Sequence, residues 1–317
     1  MSNNSLAFVF PGQGSQSVGM LGKLADESPL IRQTFDEAST VLGYDLWQLV
    51  SQGPAEDLNA TERTQPAMLA AGIATLRLWR ERNGAPPAIV TGHSLGEFTA
   101  LVAADAIDFG ACIDLVRFRG QVMQQAVPAG TGAMAALLGL EDPDVIAVCA
   151  EAASAGGVVE AVNFNSPGQV VIAGDRVAVQ RAIEMAKGRG AKRAVELPVS
   201  VPSHSSLMRP AGEKLAQKLA GIDVRAPSLR YLSAVDAHEH TVPADIRALL
   251  VKQLSSPVRW TTTTAALTAA GAKIVVECGP GGVLAGLVKR ISRGTDVQTF
   301  ALESPESFQA ASTAAAA

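Results

Sequence analysis

Short, wholly apolar runs alternate with longer amphipathic segments before residue 128 and again after residue 204. Residues Leu6–Phe10 and 88–90 are apolar throughout, and glycines follow both runs. Runs of this length predict strands that are buried on both faces. One of the helical segments between them has Ser28 as its N-cap and Gly43 just past its end. The alternation predicts an α/β protein with a parallel sheet and helices on its faces.

Between residues 129 and 200 the apolar runs are closer together. Strands are predicted near 134–140, 158–164, 170–173 and 193–197, with helices near 142–155 and 175–189. The order β-α-β-β-α-β predicts a ferredoxin-like small subdomain over 129–200. We assign 1–128 and 201–310 to the large α/β subdomain. The alanine-rich segment 311–317 offers little to pack and is predicted to be a flexible tail.

Composition narrows the possible functions. Of the 317 residues, 48% are hydrophobic and 18% charged, and the net charge is −4. This balance predicts a folded core and excludes a polybasic, nucleic-acid-binding chain. No apolar run reaches the ~18 residues of a membrane span, and the N-terminal stretch has no basic region typical of a signal peptide. Three scattered cysteines predict reduced thiols. We therefore expect a cytoplasmic enzyme that contacts neither nucleic acid nor membrane.

The segment 92–96, Gly-His-Ser-Leu-Gly, matches the pattern G-x-S-x-G between a predicted strand and a predicted helix. Its glycines permit a sharp turn that exposes the Ser94 hydroxyl at the helix N-terminus, where backbone N–H groups can stabilise an oxyanion. The alternative is a glycine-rich turn whose serine only caps the helix.

A serine nucleophile needs a base, and the chain has four histidines. His93 is adjacent to Ser94, so we expect its side chain to point elsewhere. His238 and His240 lie in a polar segment with no evident third metal ligand, which favours a solvated loop over a metal site. By elimination His204, in a loop between a strand and a helix, is the candidate base; a purely structural histidine is the alternative.

Arg119 is centred on the inward face of the helix predicted over 109–126. At about 100° per residue, its face also carries six apolar residues: Cys112, Leu115, Val116, Val122, Met123 and Ala126. A buried guanidinium needs an anion, and its planar fork suits a carboxylate. The alternatives are an ion pair with a buried acidic side chain or a side chain that reaches out to water.

Two glutamines complete the candidate residues. Gln253 shares a helix face with Ile246, Leu249 and Leu250, so its amide requires a buried partner, near the histidine or at the helix end. Gln13 lies in the turn after the first strand, where its N–H is a candidate oxyanion donor; an ordinary surface turn is the alternative. The glycines of that turn lack the remainder of a dinucleotide fingerprint, and no cofactor is predicted.

The chain resembles the malonyl-CoA:acyl-carrier-protein transacylases of bacterial fatty-acid synthesis over about 300 residues. The segments that carry the resemblance are FVFPGQGSQ at 8–16, TQPA at 64–67, GHSLGE at 92–97, RGQVMQ at 119–124, GTGAMAA at 130–136, NFNSPGQVVIAG at 163–174, PVSVPSH at 198–204, QLSSPVRW at 253–260 and GPGGVLAGLVKR at 279–290. The resemblance implies a hydrolase-like large subdomain, with malonyl-CoA and holo acyl carrier protein as partners.

Roles for individual residues also follow from this resemblance. Ser94 corresponds to the acylated nucleophile, His204 to its general base and acid, and Arg119 to the cation that pairs with the malonyl carboxylate.

The remaining positions are supporting ones. The N–H groups of Gln13 and Leu95 correspond to the oxyanion hole, and Gln253 to the residue that orients His204 through its carbonyl. Leu95 and the segment 201–204 are similar to malonyl-selecting members.

The chain departs from the family at Ser233 and Ala234, where relatives commonly carry asparagines; this places the details of acyl selection in question.

Two other functions stay open on the sequence alone. One is a serine esterase or thioesterase that uses Ser94 and His204 with water as acceptor. The other is a catalytically silent scaffold in which the turn at 92–96 is structural.

Overall fold

The computed structural model describes residues 5–199 and 201–316 and contains two β-sheets. The strands, in chain order, are β1 (Leu6–Phe10), β2 (Ile89–Gly92), β3 (Gly132–Leu138), β4 (Val159–Ser166), β5 (Gln169–Asp175), β6 (Arg193–Glu196), β7 (Arg230–Leu232), β8 (Ile274–Glu277) and β9 (Gln298–Ala301).

Helices occupy most of the remaining chain. They are α1 (Gly22–Glu27), α2 (Pro29–Leu42), α3 (Leu46–Gln52), α4 (Ala55–Asn59), α5 (Thr61–Glu81), α6 (Gly96–Ala103), α7 (Phe109–Gln125), α8 (Asp142–Ser154), α9 (Arg176–Gly188), α10 (Arg209–Leu219), α11 (Pro243–Lys252), α12 (Trp260–Ala269), α13 (Val283–Ile291) and α14 (Pro305–Ala316). Short 3₁₀ helices span Ser206–Met208 and Gln253–Ser255. No helix of the described residues is long and apolar enough to cross a membrane.

The larger sheet is parallel throughout, with the strand order β7-β2-β1-β8-β9. Its three central strands are entirely buried, as the continuous apolar runs predict. Because the strands run in one direction, the turns after β1, β2, β7 and β8 meet at one edge, which is where ligands bind in open α/β sheets. The prediction of a parallel sheet with helical cover is confirmed.

The smaller sheet is antiparallel, with the strand order β4-β5-β3-β6. Helices α8 and α9 bury one of its faces around Val145, Val170, Ile172 and Val179. Chain order and pairing confirm the ferredoxin-like prediction. The exact division at 128 and 201 stays a prediction, and Ser200 at that boundary lies outside the described residues.

Main-chain hydrogen bonds join the small sheet to the large subdomain. Val258 donates from its N–H to the carbonyl oxygen of Val162 at 2.8 Å and accepts from the N–H of Phe164 at 2.9 Å. The face of the small sheet opposite α8 and α9 carries Met134 and Val162, and Leu197 packs against these two residues. This bridge fixes that face close to the carboxyl edge of the parallel sheet.

The C-terminal segment differs from the prediction of a flexible tail over 311–317. Residues up to 316 continue α14, which buries Phe308, Ala311 and Ala315. Phe308 packs against Trp79 of α5 with ring centroids 5.7 Å apart. The small alanines allow close helix packing, and one aromatic residue anchors the helix in the core; Ala317 is outside the described residues.

We predict that Phe308→Ala lowers the free energy of unfolding by about 3 kcal/mol, because it leaves a cavity against Trp79. Chemical denaturation measures the change, and Gln309→Ala, on the exposed side of the same helix, is the control. Equal stability of the two variants would show that α14 does not contribute to the core.

Candidate active site

Ser94 lies in the sharp turn between β2 and α6. Its backbone φ is 53°, a value that residues other than glycine rarely adopt. The flanking glycines are sterically required. A Cβ on Gly92 would lie 1.9 Å from the carbonyl carbon of Gly96, and one on Gly96 would lie 1.9 Å from the carbonyl oxygen of Phe10. The turn therefore packs against the end of β1 and presents the Ser94 hydroxyl at the carboxyl edge.

His204 meets Ser94 across this edge. Its Nε2 lies 2.7 Å from Ser94 Oγ, and its Nδ1 lies 2.9 Å from the main-chain carbonyl oxygen of Gln253. A carbonyl only accepts, so the Nδ1 proton donates to Gln253 and leaves Nε2 free to accept the serine proton. The geometry is that of a serine and its general base, and the orienting group is a carbonyl oxygen.

Burial, and after it the nearby Arg119 cation, lower the pKa of His204 to about 3. Both effects disfavour the imidazolium form. His204 is therefore neutral near pH 7 and available as a proton acceptor.

Arg119 of α7 is 1% exposed and lies beside the serine. Its Nη1 donates to Oε1 of Gln65 at 2.9 Å, and its Nη2 to Oε1 of Gln253 at 2.9 Å and to Ser94 Oγ at 3.3 Å. The face of the Phe98 ring lies 5.3 Å from its Cζ. Within residues 5–199 and 201–316 no carboxylate pairs with this guanidinium, and its Nε has no hydrogen-bond partner. The alternatives of an ion pair and of a side chain in water do not describe this arginine.

Burial lowers the pKa of Arg119 to about 10, and the charge of Glu97 acts in the opposite direction. The guanidinium therefore stays protonated near neutral pH. It is a buried cation held by neutral amide oxygens, with N–H groups left for an anion.

Gln253 connects the separate parts of the site. Its Nε2 donates to the main-chain oxygen of Ser94 at 3.0 Å and to Oε1 of Glu97 at 2.7 Å. Its Oε1 accepts from Arg119, and its carbonyl oxygen accepts from His204. The expected buried partners of this amide are present, and they include the cation, the base and the serine backbone.

Glu97 is buried behind Gln253 and accepts a hydrogen bond from the Tyr231 hydroxyl. Burial raises the pKa of Glu97, whereas hydrogen bonds from Tyr231, Gln253, Ser233 and the Ala234 backbone act to lower it. Ser233 and the backbone of Ala234 therefore help to hold the Glu97 carboxyl group in place.

The two predicted oxyanion donors belong to neighbouring turns. Gln13 follows β1 and Leu95 follows Ser94. The turns are in contact, since a Cβ on Gly12 would lie 2.6 Å from the carbonyl oxygen of His93. In the part of the chain that the structure describes, the backbone N–H groups of Gln13 and Leu95 donate no hydrogen bond to the backbone of another loop or turn.

A cavity of about 490 Å³ opens over these groups. Ser94, His204, Arg119, Gln13 and Leu95 all line it. Its far wall comes from the small sheet and the segment after it, with Met134, Asn163, Leu197, Pro198 and Val199. Five of the six predicted site residues thus share one cavity, and the sixth, Gln253, lies directly behind them.

The other three histidines make no hydrogen bond with the Ser94 hydroxyl among the described residues. His93 turns away from Ser94, with Nε2 2.9 Å from Oδ1 of Asn165. His240 contacts the Asp236 carboxylate at 3.0 Å, and His238 is exposed. No group of three or more possible metal ligands occurs among the described residues.

Two site residues were not predicted from the sequence, namely Gln65 and Glu97. Gln65 is a buried amide near the N-terminus of α5, and Glu97 is a buried acid in α6. A signal was present for Gln65, since the argument that a polar group on an apolar face needs a partner applies to it as it does to Gln253.

The whole chain is similar to known proteins. The chain matches the acyl transferase domain over residues 7–303. It is 53% identical over 306 residues to the malonyl CoA-acyl carrier protein transacylase of Escherichia coli (strain K12), which covers 96% of this chain and 98% of that protein.

Solved structures give the same result. The malonyl-CoA:acyl carrier protein transacylase of Xanthomonas oryzae superposes with a TM-score of 0.96 at 52% identity, covering 99% of each chain. A malonyl-transacylase in complex with its type II PKS acyl-carrier protein superposes with a TM-score of 0.95 at 50% identity, covering 98% of this chain and 99% of that one.

We predict that the reactivity of Ser94 is independent of pH between about pH 5 and about pH 8, because His204 is not protonated there. The measurement is the rate at which a fluorophosphonate labels Ser94, followed by mass spectrometry, with His204→Ala as the slow control. A histidine at the ordinary pKa of 6.5 would instead give half the maximal rate at that pH, which would contradict the assigned environment.

Proposed function

The chain belongs to the acyl transferase domain family, and on this premise we propose that it moves a malonyl group from malonyl-CoA to the phosphopantetheine thiol of acyl carrier protein. The relatives named malonyl CoA-acyl carrier protein transacylase and the neighbour solved with an acyl-carrier protein support this substrate pair. The reaction passes through a malonyl ester of Ser94.

In the first half-reaction Ser94 Oγ attacks the thioester carbon of malonyl-CoA while its proton passes to His204 Nε2, 2.7 Å away. The carbon–sulfur bond then breaks, and the proton moves from His204 to the departing thiolate. In the second half-reaction the carrier thiol gives its proton to His204 and attacks the ester carbon, and the serine oxygen leaves with that proton. His204 begins and ends each half neutral.

The negative oxygen of each tetrahedral intermediate needs donors already in place. The Leu95 and Gln13 N–H groups are our candidates, since they belong to the two turns that meet beside Ser94. The N-terminus of α6 adds its dipole at the same point.

One observation carries the choice of a malonyl group. Arg119 Nη2 lies 3.3 Å from Ser94 Oγ, and among the residues that the structure describes the cation has amide partners and no carboxylate. An acyl group esterified to Ser94 that ends in a carboxylate supplies the anion this cation lacks. An acetyl group gains no contact with this charge, so the arrangement favours a dicarboxylic half-ester.

Mass spectrometry tests the intermediate. Brief exposure to malonyl-CoA should add one malonyl group to the peptide that contains Ser94, and holo acyl carrier protein should then remove it and gain that mass. Ser94→Ala should acquire no label.

Two results would overturn the proposal. A label on another residue would exclude the Ser94 ester. Loss of the label at the same rate with and without the carrier would assign the chain to the hydrolases, with water as acceptor.

We predict that Arg119→Ala lowers kcat/KM for malonyl-CoA by at least about 100-fold, since a buried charge pair in the transition state is lost. Transfer from acetyl-CoA, which has no carboxylate, should change far less. Equal losses with both substrates would contradict the pairing of Arg119 with the acyl carboxylate.

A further inference from the structure

The Arg119 guanidinium donates hydrogen bonds to two side-chain amides, those of Gln65 and Gln253, at positions that a carboxylate could also occupy. Resting on the proposed function, we infer that Gln65 is a specificity-determining residue: its neutral oxygen positions the guanidinium without neutralising it, and so reserves the cation for an acyl group that carries its own carboxylate.

The surroundings of Gln65 hold its amide oxygen against Arg119. It lies in α5, is 1% exposed and reaches the cavity wall. Arg119 has only donors, so the amide must present its oxygen to Nη1, at 2.9 Å. The amide nitrogen then faces Sδ of Met123 at 3.5 Å, a weak acceptor. Among the described residues Gln65 makes no side-chain hydrogen bond that would compete with Arg119.

On the Nη2 side of the guanidinium, the hydrogen-bond acceptor is also a neutral amide, that of Gln253. A carboxylate, Glu97, is close enough to affect the pKa of Arg119, but the amide of Gln253 stands between them. Gln253 accepts a hydrogen bond from Arg119 through Oε1 and donates one to Glu97 through Nε2. The cation and the acid therefore contact opposite ends of one neutral amide. An amide separates Arg119 from direct ion pairing on this side, and Gln65 occupies the corresponding place on Nη1.

The chemical identity of residue 65 should therefore set acyl preference. A glutamate has nearly the same shape as glutamine, but beside a guanidinium it ionises and forms a direct pair. A malonyl carboxylate would then meet a cation that is already paired, and a like charge that lines the same cavity. An acetyl group has no charge and is indifferent to the change.

The experiment compares Gln65→Glu with the unaltered protein at about pH 7.5, using malonyl-CoA and acetyl-CoA as donors and holo acyl carrier protein as acceptor. We expect kcat/KM for malonyl-CoA to fall roughly 100-fold and that for acetyl-CoA to stay within about 3-fold. The ratio of the two substrates is the readout, because a general loss of folded enzyme lowers both equally.

Two further variants separate charge from shape. Gln65→Met keeps the volume but removes the acceptor, and we expect kcat/KM to fall about 10-fold with both donors, so that the malonyl-to-acetyl ratio is unchanged. Gln125→Glu makes the same chemical change at the exposed end of α7 and should leave both rates unchanged. Thermal denaturation of each variant confirms that it is folded.

A folded Gln65→Glu variant that keeps the malonyl-to-acetyl ratio, or that loses both activities in parallel, would overturn the inference. The proposed function fails in a different way, since the unaltered protein would then not become malonylated on Ser94. A normal Ser94 ester together with an unchanged ratio in Gln65→Glu would reject only the role of Gln65.

Discussion

The Arg119 guanidinium lies 3.3 Å from the Ser94 hydroxyl with no carboxylate partner among residues 5–199 and 201–316, and the surrounding structure is arranged to hold it there. Burying a charge is unfavourable unless hydrogen bonds replace its water. Gln65 and Gln253 supply two of those hydrogen bonds, and the Phe98 ring covers one face. Among the described residues no carboxylate pairs with this charge, and in the function that we propose an acyl carboxylate completes the site. On that proposal, selectivity and positioning come from the same contact, because a group anchored at its far end holds its ester carbon in a fixed place.

The fold brings these groups together by joining distant segments at one edge. The turn after β2 carries Ser94, α7 carries Arg119, and the 3₁₀ turn after α11 carries Gln253. Backbone strain contributes to the geometry, since both Ser94 and His204 have positive φ. Gln253 ties the segments together through three groups of a single residue. Removing that side chain would disturb the cation and the nucleophile turn together.

Much of the architecture could be predicted from the sequence because it depends on local patterns. Continuous apolar runs gave the buried parallel strands, and helix periodicity placed Arg119 on the inward face of α7. Periodicity does not identify what the side chain meets there. Its amide partners lie 54 and 134 positions away in the chain, so only tertiary structure brings them together. The C-terminal helix was missed for the same reason, because Phe308 is held by a long-range contact with Trp79 and not by a local signal.

The most direct test is a crystal structure of the protein after exposure to malonyl-CoA, with the released coenzyme removed. The account predicts an ester on Ser94 whose free carboxylate lies about 2.9 Å from guanidinium nitrogens of Arg119, with Glu97 still separated from the cation by Gln253. A carboxylate turned toward solvent, or an Arg119 paired directly with Glu97, would contradict it.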